Sequence, residues 1–266
     1  MRHTVAAIQM ISSPSVTDNI ATADRLVRQA AADGAHLVLL PEYWAIMGVK
    51  DSDKVAVAEP LGQGPIQDFM AKLARELGIW LIGGTLPLAS DDPLKVVNTT
   101  LVYNPQGESA GRYDKIHLFG FSQGAESYNE SKTIVPGKNI GVLDAPFGKV
   151  GMSVCYDLRF PELFRAMGPV SLIVLPAAFT YTTGQAHWEI LLRARAIENQ
   201  CYVLAAAQGG MHPNGRRTWG HSMLIDPWGT VKSMLAEGEG VVAGEIDPAF
   251  MEGVRQSLPA LKHRTM

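Results

Sequence analysis

Cys155 ends the apolar run Val150-Gly151-Met152-Ser153-Val154 and directly precedes Tyr156-Asp157-Leu158-Arg159-Phe160-Pro161-Glu162, so it occupies a strand-to-helix corner. A thiol there, beside the exposed N–H groups of a helix start, is placed to attack a carbonyl and have the oxyanion held. Such chemistry needs a base and a cation. Glu42 follows the apolar run 37–40 and Pro41, at the C-terminal end of a buried strand, where open α/β folds place their sites. It is a candidate general base, although a lone strand-end glutamate more often pairs with a surface arginine. Lys115, in Gly111-Arg112-Tyr113-Asp114-Lys115-Ile116-His117-Leu118, sits where the second strand of a hairpin ends. An ammonium there can stabilise a tetrahedral oxyanion, although a lone lysine is more often solvated. Glu130, in Tyr128-Asn129-Glu130-Ser131-Lys132-Thr133, reads by itself as ordinary loop charge. The bland alternative for Cys155 is a small buried hydrophobe, a description that Cys201 fits well.

The elements that must position these residues alternate. Residues 4–10 read as a strand, Thr17 or Asp18 caps a helix to about Ala32, Asp33-Gly34 stops it, and 36–40 form a second, buried strand. This is a β-α-β unit. A helix over 65–77 ends at Gly78 and leads into the apolar run 79–83. The period then changes: strands 97–103 and 111–113 flank Asn104-Pro105-Gln106-Gly107, and 221–225 and 231–235 flank Asp226-Pro227-Trp228-Gly229. These like hairpins, and the echo of Leu39-Leu40-Pro41-Glu42 in Val174-Leu175-Pro176-Ala177, fit two similar α-β halves with sheets face to face and helices outside. A helix over about 185–199 presents Leu191, Ala194 and Ile197 as its apolar face and Glu189, Arg193 and Arg195 on the other. The stretch from about 247 to 266 packs either on its own domain or on a neighbouring subunit.

No linker-like tract interrupts the 266 residues, which read as a single domain, 1–266. With 47% hydrophobic and 18% charged residues, the chain can bury a large core and still leave surface for a homodimer or larger homo-oligomer. The net charge is −3 and the 23 basic residues are scattered, so no nucleic-acid or membrane partner is expected. The N-terminal apolar stretch is too short for a signal peptide, and no segment reaches the ~18 apolar residues of a membrane span. A soluble, cytoplasmic protein is expected. Two cysteines make no disulfide framework, and a reducing compartment keeps Cys155 a thiol. The sequons at Asn98 and Asn129 are then chance matches. The seven histidines are dispersed, without metal-ligand spacing, and Gly62-Gln63-Gly64-Pro65 does not follow a strand as a dinucleotide fingerprint must. Neither a metal nor any other cofactor is expected. Gly151-Met152-Ser153-Val154-Cys155 is similar to a serine-hydrolase elbow but lacks its final glycine, which leaves Ser153 a strand residue.

Taken together, Leu39-Leu40-Pro41-Glu42, Tyr113-Asp114-Lys115-Ile116-His117-Leu118 and the Cys155 block resemble the three catalytic blocks of the nitrilase superfamily, the carbon–nitrogen hydrolases. They occur in the family's order, and the resemblance covers essentially the whole chain. It implies an α/β fold, a four-layer α-β-β-α sandwich, usually dimerised through outer helices. It implies a triad of Glu42, Lys115 and Cys155, and it promotes Glu130 to the second glutamate that positions the lysine and the substrate. The blocks from Ala186 to Glu198, Gln200-Cys201-Tyr202-Val203, Gly220-His221-Ser222-Met223 and Asp226-Pro227-Trp228-Gly229 resemble the branch holding deaminated glutathione amidases and ω-amidases. Leu-Leu-Arg-Ala-Arg-Ala-Ile-Glu and Gln200-Cys201-Tyr202 look closer to the former. Segment 119–127 departs from both groups and bears on substrate identity.

The chemistry so implied is hydrolysis of a small carboxylate-bearing amide through a cysteine acyl-enzyme, releasing ammonia. Glu42 takes the thiol proton, Lys115 and the backbone N–H of Tyr156 hold the oxyanion, and water hydrolyses the thioester. Arg159 is the candidate for the distal carboxylate of the substrate, against a structural pairing with Glu162 or Asp157. The alternatives are an ω-amidase acting on α-ketoglutaramate or succinamate, an N-carbamoyl amino acid hydrolase, a nitrilase or an acyltransferase. A different class of reading is a non-catalytic interaction protein on a hydrolase fold. The intact set of Glu42, Lys115, Glu130 and Cys155 argues against that last one.

Overall fold

The strand His3–Gln9 is apolar at successive positions because both of its faces are covered. In the computed structural model, which describes residues 2–124 and 126–265, Val5 and Ala7 face a cluster shared with a second sheet. Ala6 and Ile8 face the opposite way, toward the helices Val16–Ala32 and Pro65–Leu77. The first sheet runs Gly240–Ile246, His3–Gln9, Leu37–Leu39, Trp80–Ile82, Val96–Tyr103. Leu86–Ala89, Ser109–Asp114 and Ile134–Val135 also pair with Val96–Tyr103. The second sheet runs Gly141–Ala145, Gly148–Met152, Leu172–Ala177, Tyr202–Ala207, Ser222–Ile225, Val231–Leu235. Pro161–Ala166 and Tyr181–Asn199 cover its outer face through Leu163, Phe164, Trp188, Leu192 and Ala196. The result is the four-layer α-β-β-α sandwich.

Both sheets follow one plan. Three parallel strands form the centre, an antiparallel strand closes one side, and an antiparallel hairpin closes the other. Each hairpin turns where proline and glycine were read, at 104–107 and 226–229, with Gly107 N donating to Asn104 O and Gly229 N to Asp226 O.

Local chemistry corrects several boundaries. Ser15, not Thr17 or Asp18, caps the first helix, its hydroxyl accepting from Asp18 N at 3.3 Å. The helix Pro65–Leu77 matches the sequence reading, with proline in its first turn and Gly78 left-handed at its end. The helix expected over 185–199 begins at Tyr181, because the Thr180 hydroxyl caps a first turn whose Thr-Thr-Gly composition hides it from propensity. Its buried side is also different. Trp188, Leu192, Arg195, Ala196 and Asn199 face inward, while Ile197 is exposed. Arg195 can turn inward because its guanidinium donates to Leu158 O at 3.1 and 2.7 Å and to Glu198 at 2.7 Å. The tail to Leu258 packs on its own domain: Met251 and Val254 are buried, and Arg255 donates to Gln200 O and Val170 O.

Candidate active site

Three strand ends bring the predicted residues to one point. Glu42 lies just past Leu37–Leu39, Lys115 just past Ser109–Asp114, and Cys155 just past Gly148–Met152. Lys115 is fully buried. Its Nζ lies 2.9 Å from Glu42 Oε1 and 2.9 and 2.8 Å from the two oxygens of Glu130. Glu42 also stands close enough to the Cys155 thiol for its charge to push the thiol's pKa up. The second oxygen of Glu42, Oε2, accepts from the backbone N–H of Ala178 at 2.9 Å, so the carboxylate of the first half is anchored on the second.

Both corners are held in an unusual backbone conformation. Cys155 has φ of 49° and Tyr43, next to Glu42, has 56°. Left-handed non-glycine residues cost about 1–3 kcal/mol each and persist only where the surroundings enforce them. At Cys155 the enforcing residue is Asp157, which is fully buried and accepts four hydrogen bonds. Oδ2 takes Val154 N (2.9 Å) and the Tyr113 hydroxyl (2.7 Å), and Oδ1 takes His117 N (3.0 Å) and contacts His117 Nδ1 (2.7 Å). Asp157 therefore ties the nucleophile corner to the lysine strand on both sides of Lys115. Gly137 closes on the same strand: its N–H donates to Lys115 O, and a Cβ there would fall 2.1 Å from Asp114 O.

The electrostatics follow from burial and pairing. Burial alone would lower the pKa of Lys115, but Glu130, Glu42 and Cys155 outweigh it and hold the ammonium well above its ordinary value. Burial would raise Glu130, yet Lys115, the Phe119 N–H at 2.6 Å and the Tyr43 hydroxyl at 2.7 Å keep it ionised below the ordinary range. Burial, reinforced by Glu42 and Glu130 against the pull of Lys115, pushes the Cys155 thiol well up. The raised value keeps Cys155 a neutral thiol near pH 7.

The carbon–nitrogen hydrolase profile matches residues 4–256. This chain belongs to the carbon–nitrogen hydrolase family. A deaminated glutathione amidase of Yersinia enterocolitica is 40% identical over 264 residues, 97% of this chain and 92% of the relative. The human protein of that name is 41% identical over 267 residues, covering 98% and 81%. An omega-amidase of Xenopus laevis is 37% identical over 264 residues, covering 98% and 94%. Among solved structures, the C. elegans NitFhit protein superposes with TM-score 0.92 at 37% identity, over 99% of this chain but 65% of that one. A single-site mutant of the amidase from Nesterenkonia sp. AN1, TM-score 0.81 at 25% identity, covers 99% and 94% and carries the acetamide moiety of fluoroacetamide covalently at its active-site cysteine.

In this carbon–nitrogen hydrolase a narrow pocket opens over Cys155, walled by Phe119, Tyr156, Arg159, Phe179, Thr180 and Thr183. Arg159 pairs with neither Glu162 nor Asp157. Its guanidinium lies 5.8 Å from the Tyr156 ring centroid and 5.5 Å from that of Phe179, with Nη1 3.3 Å from His187 Nδ1. The divergent segment 119–127, of which Ala125 lies outside the described residues, pairs Gly120–Gln123 with Glu126–Asn129 beside the pocket mouth. Ser153 donates to Val174 O and is buried, as a strand residue. Cys201 is a buried thiol pushed up to about 12 by burial.

Asn98 was missed in the sequence, set aside as a chance sequon. It is buried and donates to Glu42 Oε1 at 3.0 Å. A polar residue inside the apolar strand 96–103 was the available signal. Tyr43 gave none, because its role depends on a loop that turns its hydroxyl onto Glu130.

Proposed function

We propose that this hydrolase cleaves the C–N bond of a small carboxylate-bearing amide through a Cys155 thioester, with deaminated glutathione as the best candidate substrate and a primary ω-amide as the second. The single observation that carries the reading is the buried array in which Glu42 holds the Lys115 ammonium at 2.9 Å and stands beside the Cys155 thiol. A neutral thiol needs a base within hydrogen-bond reach, and Glu42 is that base. As sulfur bonds to the carbonyl carbon, the proton passes to Glu42. The oxyanion is held by the Tyr156 N–H, in a first turn whose N–H groups lack intrahelical acceptors, and by the charge of Lys115. Glu42 returns the proton to the departing nitrogen as the C–N bond breaks. Water then adds to the thioester, loses its proton to Glu42, and the thiol re-forms. The leaving group is ammonia for a primary amide and the peptide amine for deaminated glutathione.

Glu130 positions Lys115, and Arg159, which lines the pocket without a carboxylate partner among the described residues, takes the acyl-side carboxylate. The names of the relatives support the first substrate, and the amphibian omega-amidase supports the second. Both cysteines are free thiols, which suits a reducing cytoplasm. No helix among the described residues is long and apolar enough to cross a membrane. The reading includes a homo-oligomer, supported by the exposed apolar side chains Ile190, Ile197 and Trp228 on one surface. Light scattering of Ile190→Glu should show a smaller particle than wild type.

The deciding test is product release from deaminated glutathione, α-ketoglutaramate, N-carbamoyl amino acids and simple nitriles. Turnover confined to the last two would overturn the proposal.

A further inference from the structure

A second, narrow pocket lies beside the Glu42–Lys115–Cys155 array, and the mechanism leaves it unused. Tyr43, Met47, Asp51, Lys54 and Arg216 are among its walls. Tyr43 separates it from the reacting centre. The hydroxyl of Tyr43 donates to Glu130 at 2.7 Å, while Lys54 Nζ stands 5.4 Å from its ring centroid. Arg216 lies 5.3 Å from the Tyr128 ring centroid, and Tyr128 packs at 5.6 Å on Phe119 at the mouth of the Cys155 pocket. Thr218, two residues after Arg216, bridges to Thr180, which lines that first pocket. The two cavities are linked through a chain of contacts from Arg216 to Tyr128 to Phe119.

The second cavity is cationic and unpaired. Among the described residues neither Lys54 nor Arg216 makes an ion pair. Lys54 Nζ finds only the Thr133 hydroxyl, at 3.3 Å, and Asp51 acts on it through space. Burial, with the charges of Arg216 and Lys115 adding to it against Asp51 and Glu130, holds the Lys54 ammonium below its ordinary value. An anion is what this pair of cations lacks.

We infer that Lys54 and Arg216 form a carboxylate subsite for the amine half of the substrate, so that a dianionic amide is gripped by Arg159 at its acyl end and by Arg216 with Lys54 at the end that leaves. The inference rests on the amidase reading above. In deaminated glutathione cut at its deaminated glutamyl amide, the leaving amine is cysteinylglycine, whose glycine ends in a carboxylate. A primary ω-amide releases ammonia and has nothing to place there. An extended residue spans roughly 3.5 Å, so that carboxylate lies roughly 7 Å from the leaving nitrogen, about the length of the tyrosine side chain that separates the two cavities. The subsite thus separates two substrates that share an acyl half.

The test is a cycle of enzyme and substrate changes. Initial rates are measured for wild type and Arg216→Met on deaminated glutathione, on its C-terminal N-methylamide, and on α-ketoglutaramate. Wild type should show a KM roughly ten- to a hundredfold lower for the acid than for the N-methylamide, the factor expected from one charge-assisted contact, and Arg216→Met should lose that preference. Its KM should rise more for deaminated glutathione than for α-ketoglutaramate. Lys54→Gln should shift the same ratio by less. Equal KM values for acid and N-methylamide in wild type, a comparison that needs no variant to fold, overturn the subsite and leave the amidase reading standing. A wild type that hydrolyses α-ketoglutaramate but releases nothing from deaminated glutathione overturns the subsite together with that choice of substrate.

Discussion

In both halves of the sandwich three parallel strands are followed by an antiparallel hairpin, yet the matching strand ends carry different groups. In the first half the second parallel strand runs into Pro41-Glu42, and its hairpin ends at Lys115. In the second half the corresponding strand carries Pro176 and ends at Ala177, and the hairpin ends at Leu235. At the meeting point the second half offers the Ala178 N–H to the Glu42 carboxylate. Cys155 comes from the second half instead, from the first parallel strand, whose counterpart in the first half ends at Gln9. A repeated backbone thus supplies the frame, and the divergence of its side chains brings Glu42 and Lys115 from one side and Cys155 from the other. Neither half holds a site alone.

The sharpest way to break that comparison is Cys155→Ala. It should fold with a near wild-type Tm and lose on the order of 10⁴-fold or more in kcat/KM, since the covalent step has no other nucleophile. Retained ω-amide hydrolysis would place the chemistry entirely in the first half. Glu42→Gln follows, expected to lose roughly 10³-fold because a neutral amide cannot take the thiol proton, although it can still accept from Ala178. A rate within tenfold of wild type, measured with the same amide, would remove Glu42 as the base.

Asp157→Asn tests the tie between the halves. Four donors converge on this buried carboxylate, so turning one oxygen into an NH₂ group should cost about 2–4 kcal/mol by urea unfolding and lower kcat along with it. A change in stability with unaltered kcat would confine Asp157 to folding. Asn98→Ala removes one hydrogen bond from Glu42 and should cost about 1 kcal/mol in stability and roughly tenfold in kcat, with KM little changed. A KM effect alone would make Asn98 a substrate contact.

The smallest effect concerns the two cysteines, both in the second half. Burial, Glu42 and Glu130 raise the Cys155 thiol against Lys115, and burial raises Cys201 to about 12. The native state therefore keeps thiol protons that an unfolded chain loses near pH 8.5. This contribution to stability is complete below about pH 8.5 and is lost above it with a slope of up to about 1.4 kcal/mol per pH unit for each cysteine. Between about pH 9 and 10, Cys155→Ala should remove roughly half of that slope, as read from urea midpoints. An unchanged slope would mean that the Cys155 thiol ionises in the folded protein much as it does in the unfolded chain.

Much of this was legible before folding was considered. The β-α-β start, the two proline-glycine hairpins and the helix Pro65–Leu77 rest on local signals: periodicity, turn residues and caps. Glu42 and Cys155 were readable because each follows an apolar strand, Lys115 because it ends the second strand of a hairpin, and Glu130 only through its company. The buried face of Tyr181–Asn199 was not readable, because an arginine turns inward only when a carbonyl such as Leu158 O waits for it. By itself the sequence determined the strands of the β-α-β start and of the two hairpins, and which reactive groups stand beyond their ends, since these depend on neighbours in the chain. Only the tertiary structure decided that Asn98, Ala178 and Tyr43 complete the carboxylate array, and that Asp157 and Arg195 lock the nucleophile turn. Those are hydrogen bonds between residues dozens to more than a hundred positions apart, or bonds whose partners point together only once two sheets have packed, and no local pattern encodes them.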